Sequence, residues 1–149
     1  MIQALQLAEH AAQLGEVPVG AVVVVGGAVV GRGYNRREVD ADPLSHAELK
    51  AVAEASQKLK SWRLSEATLY VTLEPCTMCA GALIQARLGR LVFGAMDPKA
   101  GAVGSLYNLL ADERHNHRVE VTGGVLEVEC GKILKDFFSA LRGRKKAGQ

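Results

Sequence analysis

The stretch Ala67-Thr-Leu-Tyr-Val-Thr-Leu-Glu-Pro-Cys-Thr-Met-Cys79 places a strand of the buried type directly before a helix. Ala67 to Leu73 is rich in apolar and β-branched residues, which predicts a strand in the interior of a sheet. Glu74-Pro75 ends this strand, because proline has no amide hydrogen for a ladder hydrogen bond. The small residues from Thr77 to about Arg87 predict a closely packed helix. A strand that leads directly into a helix is typical of layered α/β domains.

Segments on both sides of this stretch repeat the alternation of strands and helices. The preceding part predicts a helix over 4–14, strands over 21–25 and 28–33 joined at Gly26-Gly27, and a helix capped by Ser45 that ends near Leu59. The following part predicts a strand over 91–94, a short helix over 106–110, a strand over 119–122 and a helix over 125–141. Because the opening hairpin is antiparallel, we expect a mixed sheet in an α/β fold.

The composition fits an ordinary globular protein. Its 149 residues are 48% hydrophobic and 23% charged, and this length predicts one domain over residues 1–149. No apolar run in the sequence approaches the roughly 20 residues of a membrane-spanning helix, and no signal peptide is recognisable. Three cysteines without a secretory context indicate a reducing compartment. We therefore expect a cytoplasmic protein with no membrane partner.

The formal net charge of +2 is unevenly distributed along the chain. Residues 142–149 contain Arg142, Arg144, Lys145 and Lys146 and no acidic residue, whereas the remainder is nearly neutral. We expect this basic tail to fray in solvent, with a nucleic-acid-binding arm as the alternative. Net charge alone therefore makes a weak case for nucleic-acid binding.

Two short segments, His46-Ala47-Glu48 and Pro75-Cys76-Thr77-Met78-Cys79, predict a metal site. Cys76 and Cys79 are three residues apart at the predicted start of a helix, so both sulfurs project from one turn. The strand between the two segments can bring His46, at the start of the preceding helix, to the same edge of the sheet. One imidazole and two thiolates form a ligand set that Zn²⁺ favours.

The position of Glu48 indicates a catalytic site rather than a structural one. Three protein ligands leave the fourth tetrahedral position of zinc for water, and zinc lowers the pKa of that water to about 7. Glu48 follows His46 by two residues, close enough to accept the proton of the water and pass it to a substrate nitrogen. Hydroxide together with a proton shuttle suits the hydrolytic loss of ammonia from a ring carbon, which is deamination.

A zinc-stabilised binding module without catalytic activity is the alternative from another class of protein. In such a module Cys130 would close the site as a fourth ligand, and Glu48 would be a solvated helix carboxylate. The order His-x-Glu followed by Pro-Cys-x-x-Cys favours catalysis, because it is the signature of zinc-dependent base deaminases. We interpret Cys130 as a buried thiol of the last helix.

These motifs, with collinear segments outside them, resemble the cytidine deaminase superfamily and, within it, the bacterial tRNA-specific adenosine deaminases. The further segments are Glu16-Val-Pro-Val-Gly-Ala, Gly33-Tyr-Asn-Arg, Val92-Phe-Gly-Ala, Gly101-Ala-Val-Gly-Ser-Leu, Asn116-His-Arg-Val-Glu and Asp136-Phe-Phe. The resemblance implies a three-layer α/β/α fold with a five-stranded sheet, and conversion of adenosine to inosine at the wobble position of a tRNA anticodon. It also implies a homodimer with one zinc ion per subunit, in which each anticodon stem-loop meets residues of both subunits.

The same resemblance assigns roles to individual residues. His46, Cys76 and Cys79 become zinc ligands, and Glu48 becomes the proton shuttle. Substrate contacts fall on Asn35, Ala47, Asp97, Lys99, Asn116, His117 and Phe138, among which Asn35 offers an amide donor and acceptor to a purine edge. Purely structural roles are the alternative for these contacts, such as a loop anchor for His117. A deaminase of a free base or nucleoside of the guanine, cytosine or cytidine type is the alternative function, because the same zinc residues serve all of these reactions.

Overall fold

Strands and helices alternate along the chain in the computed structural model, which describes residues 1–148. The first half comprises α1 (Ile2–Gln13), β1 (Gly20–Val25), β2 (Ala28–Tyr34) and α2 (Ala47–Leu59). The second half comprises β3 (Thr68–Leu73), α3 (Thr77–Gln85), β4 (Arg90–Ala95), a 3₁₀ turn (Leu109–Ala111), β5 (Glu120–Thr122) and α4 (Glu127–Lys146). The predicted strands and long helices are all present, with ends that differ by a few residues.

The five strands form one mixed sheet in the order β2-β1-β3-β4-β5. Strand β1 is antiparallel to both β2 and β3, whereas β3, β4 and β5 are parallel to one another. The mixed five-stranded sheet expected from the sequence is therefore confirmed. Since β3 and β4 are parallel, their carboxyl ends lie at the same edge of the sheet, where Glu74 and Asp97 follow them.

Helices cover both faces of this sheet. Neighbouring strand residues point to opposite faces: Gly20 of β1 lies against Ala4 and Ala8 of α1, whereas the adjacent Ala21 belongs to the core that contains α2 and α3. Strand β4 shows the same alternation, because Gly94 lies against Cys130 of α4. Helices α1 and α4 thus cover one face and α2 and α3 the other. This arrangement confirms the three-layer α/β/α architecture.

Glycine in β2 allows α2 to lie very close to the sheet. A Cβ atom at Gly33 would collide with the carbonyl oxygen of Ala47 and the amide nitrogen of Ala51, and one at Gly31 would collide with the next turn of α2. Backbone therefore packs against backbone along this contact. The contact fixes the first turn of α2, which begins at Ala47 directly after the predicted ligand His46.

Ser45 does not cap α2, so this prediction is wrong. The N-cap residue is His46, with an extended backbone and no capping hydrogen bond from its side chain. The Ser45 hydroxyl instead donates to the Asp40 carboxylate over 2.8 Å. This hydrogen bond to an ionised acceptor, which is of the stronger kind, orients the Ser45 side chain towards the preceding loop.

The last helix is longer than the sequence indicates. Helix α4 ends at Lys146 rather than at Leu141, so residues 142–146, which were expected to fray, continue the helix. The basic residues of this last turn are favourable there, because the carboxyl end of a helix carries partial negative charge. Within residues 1–148 no helix combines the length and the apolar composition needed to cross a membrane.

Candidate active site

The candidate site forms where the amino termini of α2 and α3 meet. His46 is the N-cap residue of α2 and Cys76 is the N-cap residue of α3, each with an extended backbone. Neither side chain caps its own helix, which leaves the imidazole and the thiol available for other partners. Strand β3 ends just before Cys76, and Cys79 lies one turn into α3. The three predicted ligands therefore come together, as the sequence predicts.

The distances between these three side chains fit a tetrahedral metal ion. The Nδ1 atom of His46 lies 3.7 Å from Cys76 Sγ and 3.5 Å from Cys79 Sγ. All three ligand atoms lie within 4.8 Å of one another. Nitrogen and sulfur ligands at zinc bond lengths are about 3.5 Å apart in a tetrahedral site. The donor set and its spacing are thus those of a metal centre with three protein ligands.

The electrostatics of the cluster favour a thiolate. Hydrogen bonding from Cys79, and to a lesser degree from His46, lowers the pKa of the Cys76 thiol to about 4 against the opposing effect of burial. The Cys76 side chain in turn raises the pKa of His46. An anionic sulfur at a helix amino terminus is also stabilised by the partial positive charge there. A cation bound at this cluster would meet compensating negative charge.

Glu48 lies beside the cluster without belonging to it. Its side chain is only 4% exposed and lines a cavity together with His46 and Cys76. Burial raises the pKa of the Glu48 carboxyl above its ordinary value. A carboxylate whose proton affinity is increased in this way is suited to accept and return a proton.

The cavity in front of the cluster has a volume of about 200 Å³. This is below the roughly 300–1,000 Å³ of pockets for drug-sized ligands, and it suits a single ring system. Three predicted substrate residues, Asn35, Ala47 and Asp97, line it. The Asn35 amide already donates to the carbonyl oxygen of Val17 over 3.1 Å and accepts from the backbone amide of Arg37. One amide hydrogen and one oxygen lone pair of Asn35 remain for a ligand.

Four other predicted substrate residues lie outside this cavity. Lys99 and Asn116 are exposed, and Phe138 of α4 is 40% exposed and packs edge-to-face on Phe137. The ring of His117 lies 2.7 Å from the carbonyl oxygen of Leu88, before the start of β4 and hence at the opposite end of that strand from Asp97. A ligand confined to the cavity would not touch these residues.

Sequence reasoning gave no role to Glu74, which holds one wall of the cavity. Its carboxylate is 2% exposed and accepts hydrogen bonds from the backbone amides of Asp97, Val103 and Ser105 and from the Ser105 hydroxyl. Burial alone would raise the pKa of Glu74, but these hydrogen bonds outweigh it and lower the pKa. The segment 97–105, which brings Asp97 to the cavity, is thus anchored on one buried carboxylate.

Glu16 anchors a second loop in the same way and was also missed. Its carboxylate is 1% exposed and accepts hydrogen bonds from the backbone amides of Glu38 and Val39, at 3.1 and 2.8 Å. The anchored loop brings Arg37 to the cavity. The only local signal for either role is a carboxylate in the connection before a strand or at the end of one, next to valine or proline.

Cys130 is separate from the candidate metal centre. It is fully buried on α4, where it packs against Gly94 on the face of the sheet opposite α2 and α3. Burial raises the pKa of the Cys130 thiol to about 11, so it is neutral. Within residues 1–148 the metal-ligating cluster contains His46, Cys76 and Cys79 but not Cys130. The interpretation of Cys130 as a packing residue is confirmed, and a fourth protein ligand from it is excluded.

Comparisons with known proteins relate the chain to deaminases. The model of the MafB19-like deaminase family matches residues 1–142. The tRNA-specific adenosine deaminase of Bacillus subtilis (strain 168) is 51% identical over 149 residues, which cover 100% of this chain and 92% of that protein.

Solved structures place the fold among deaminases as well. A structure from a study of A-to-I editing by tRNA:A34 deaminases at the wobble position of transfer RNA has a TM-score of 0.85 and 44% identity, covering 88% of this chain and 95% of its own. The guanine deaminase of Nitrosomonas europaea has a TM-score of 0.75 and 26% identity, covering 91% and 80%. Identity is therefore higher to the tRNA deaminases than to this free-base deaminase. The chain belongs to the MafB19-like deaminase family and, within it, to the tRNA-specific adenosine deaminases.

Proposed function

We propose that this chain catalyses the hydrolytic deamination of adenosine to inosine at the wobble position of a tRNA anticodon. The observation that carries the proposal is the His46, Cys76 and Cys79 cluster beside buried Glu48, in a chain 51% identical along its whole length to a tRNA-specific adenosine deaminase. The cluster and Glu48 supply the machinery for deamination, and the relatives supply the substrate class.

The proposed cofactor is one zinc ion per subunit, held by His46, Cys76 and Cys79. Two sulfurs and one imidazole nitrogen are typical zinc ligands, and softer or harder donor sets suit other metals better. When bound, the ion supplies Lewis acidity that makes water a hydroxide donor near neutral pH. The chain's own contribution is to hold the three donors on two helix termini at the spacing described above.

Glu48 moves the proton in the proposed reaction. Its carboxylate accepts a proton from the attacking water and delivers it to a nitrogen of the adenine ring system, while the new carbon–oxygen bond forms at the amino-bearing carbon. The remaining proton of the former water passes to the amino nitrogen and the carbon–nitrogen bond breaks, so that adenosine and water become inosine and ammonia. Burial of Glu48 keeps bulk water from competing for this proton.

The proposed substrate contacts fall into two groups. Asn35, Ala47 and Asp97 line the cavity and would face a flipped-out base. Lys99, Asn116, His117 and Phe138 lie beyond it, where only the remainder of an RNA could reach them. From the resemblance to the tRNA-specific adenosine deaminases we also propose a homodimer, in which such residues from both subunits meet one anticodon stem-loop. The free thiols of the chain agree with a cytoplasmic location, which is also a proposal.

The test of the proposed function is an anticodon stem-loop RNA with adenosine at the wobble position. We expect inosine at that position and an equal amount of ammonia, and no inosine in a matched stem-loop whose adenosine is moved to the neighbouring anticodon position. Free guanine, cytosine and cytidine are assayed in parallel. Rapid turnover of one of these, with the stem-loop unchanged, would establish the alternative function instead.

Substitution of the two buried cysteines separates metal binding from packing. Cys79→Ser is expected to lose the stoichiometric zinc, because it replaces a thiolate ligand. Cys130→Ser is expected to retain one zinc ion per chain, with a stability loss of about 1–2 kcal/mol from burying a hydroxyl against β4. Elemental analysis and thermal denaturation measure the two effects. Zinc lost from Cys130→Ser but kept in Cys79→Ser would contradict this assignment of ligands.

A further inference from the structure

Arg37 is a cation at the mouth of a cavity whose other charged groups are mainly acidic. Glu48, Glu74 and Asp97 all line this cavity. Within residues 1–148, Arg37 is the only lysine or arginine that lines it, and its side chain is exposed. An anionic group could therefore be accommodated beside Arg37 but not deeper in the cavity.

The backbone of Arg37 is held on both sides. Its amide donates to Asn35 Oδ1 over 3.1 Å, and its carbonyl oxygen accepts from the amide of Asp42 over 3.1 Å. The next two residues donate their amides to the buried carboxylate of Glu16. A ligand that binds the Arg37 side chain thus meets a loop that is already ordered, which reduces the entropic cost of binding.

The two neighbouring arginines differ in how their guanidinium groups are used. Arg36 forms an ion pair with Asp40 at 3.0 Å and donates to the Tyr34 hydroxyl over 2.7 Å. In the part of the chain that the structure describes, no hydrogen bond or ion pair engages the guanidinium of Arg37. The planar group with its donors is consequently available at the cavity mouth, where it matches the geometry of a phosphate.

The size of the cavity indicates which phosphate of an RNA would lie beside Arg37. About 200 Å³ holds a base, so the ribose and its phosphates stay at the mouth. We propose that Arg37 binds a phosphate of the RNA strand directly next to the target adenosine, an inference that rests on the proposed function. This contact distinguishes a nucleotide within a strand from a free base or nucleoside, which carries no phosphate.

Binding of the stem-loop RNA to the zinc-loaded protein tests the assignment by fluorescence anisotropy, independently of inosine formation. Arg37→Ala is expected to weaken binding by on the order of tenfold and to reduce the slope of log affinity against log salt by about 0.7. Arg37→Lys is expected to restore the slope but only part of the affinity, because an ammonium group lacks the planar donor pair. Arg63→Ala, which removes an equal charge stacked on Trp62 away from the cavity, is the matched control with unchanged binding.

Neutral methylphosphonate linkages, introduced one at a time on either side of the target adenosine, locate the contact. One of them should weaken binding of the unsubstituted protein about tenfold and have no effect on Arg37→Ala. The proposal would be overturned if the methylphosphonate weakened RNA binding equally in the unsubstituted protein and in Arg37→Ala. It would also be overturned if these two proteins bound the unmodified stem-loop equally tightly. The proposal would also be overturned if the binding of adenosine 5′-monophosphate depended on Arg37 while the binding of the stem-loop did not. Arg37 would then bind the phosphate of a free nucleotide. Tight binding without inosine formation would instead count against the proposed function alone.

Discussion

Glu48→Gln is expected to lower kcat for the stem-loop substrate by about 10²–10⁴-fold while the protein retains its zinc. Glutamine has nearly the same shape as glutamate but cannot accept a proton at neutral pH. The nearby carboxylate of Glu74 does not replace the lost function, because it is fully occupied by its four hydrogen bonds. Single-turnover rates of inosine formation and the zinc content of the same sample measure the two expectations.

Glu54→Gln is the matched control for this substitution. Glu54 lies on the same helix but is exposed, so the identical chemical change should leave kcat unchanged. The stem-loop should bind Glu48→Gln about as tightly as the unsubstituted protein, since Glu48 acts on the proton rather than on the RNA. Full activity of Glu48→Gln would show that the proton moves by another route.

Glu74→Gln is expected to lower stability by about 3 kcal/mol, which corresponds to a decrease in Tm of roughly 10 °C. One carboxylate oxygen becomes an NH₂ group that faces amide donors, so two of the four hydrogen bonds are lost within a buried site. The segment 97–105 then loses its anchor, and Asp97 and Ala100 shift in the cavity wall. A fall in kcat/KM on the order of 10²-fold follows from such a displacement.

Two further substitutions are compared with Glu74→Gln, one with a smaller expected effect and one with none. Ser105→Ala removes one donor and leaves the carboxylate with its three backbone amides, so a loss of about 1 kcal/mol is expected. Glu66→Gln, at an exposed position before β3, should change neither Tm nor kcat/KM. Thermal denaturation and steady-state kinetics on the stem-loop measure all three variants. A Glu74→Gln protein with unchanged Tm would show that the segment is held by other contacts.

The features that the sequence predicts correctly are those encoded over short distances. Alternating strands and helices, the break at Pro75 and the spacing of Cys76 and Cys79 each depend on a few adjacent residues. The meeting of His46 with the cysteines follows from one more step, because two helices that flank a single strand start at the same edge of the sheet. The resemblance to known deaminases supplied the substrate class, which these local signals do not contain.

The features that were missed depend on distant partners. The amides bound by Glu74 lie 23 to 31 residues further along the chain, so nothing beside Glu74 indicates its role. Ser45 has the right residue type and spacing for a helix cap, yet its hydroxyl goes to Asp40 in the folded loop. Contacts between such distant partners form only when the chain is folded.

The backbone contact between β2 and α2 has a consequence for how this protein can evolve. Gly31 and Gly33 touch no ligand of the metal centre, yet a side chain at either position would lift α2 from the sheet and carry His46 with it. Catalysis therefore imposes selection on two residues that take no part in the chemistry. A lineage could vary the cavity walls and so acquire new substrates, while this contact would have to be inherited unchanged.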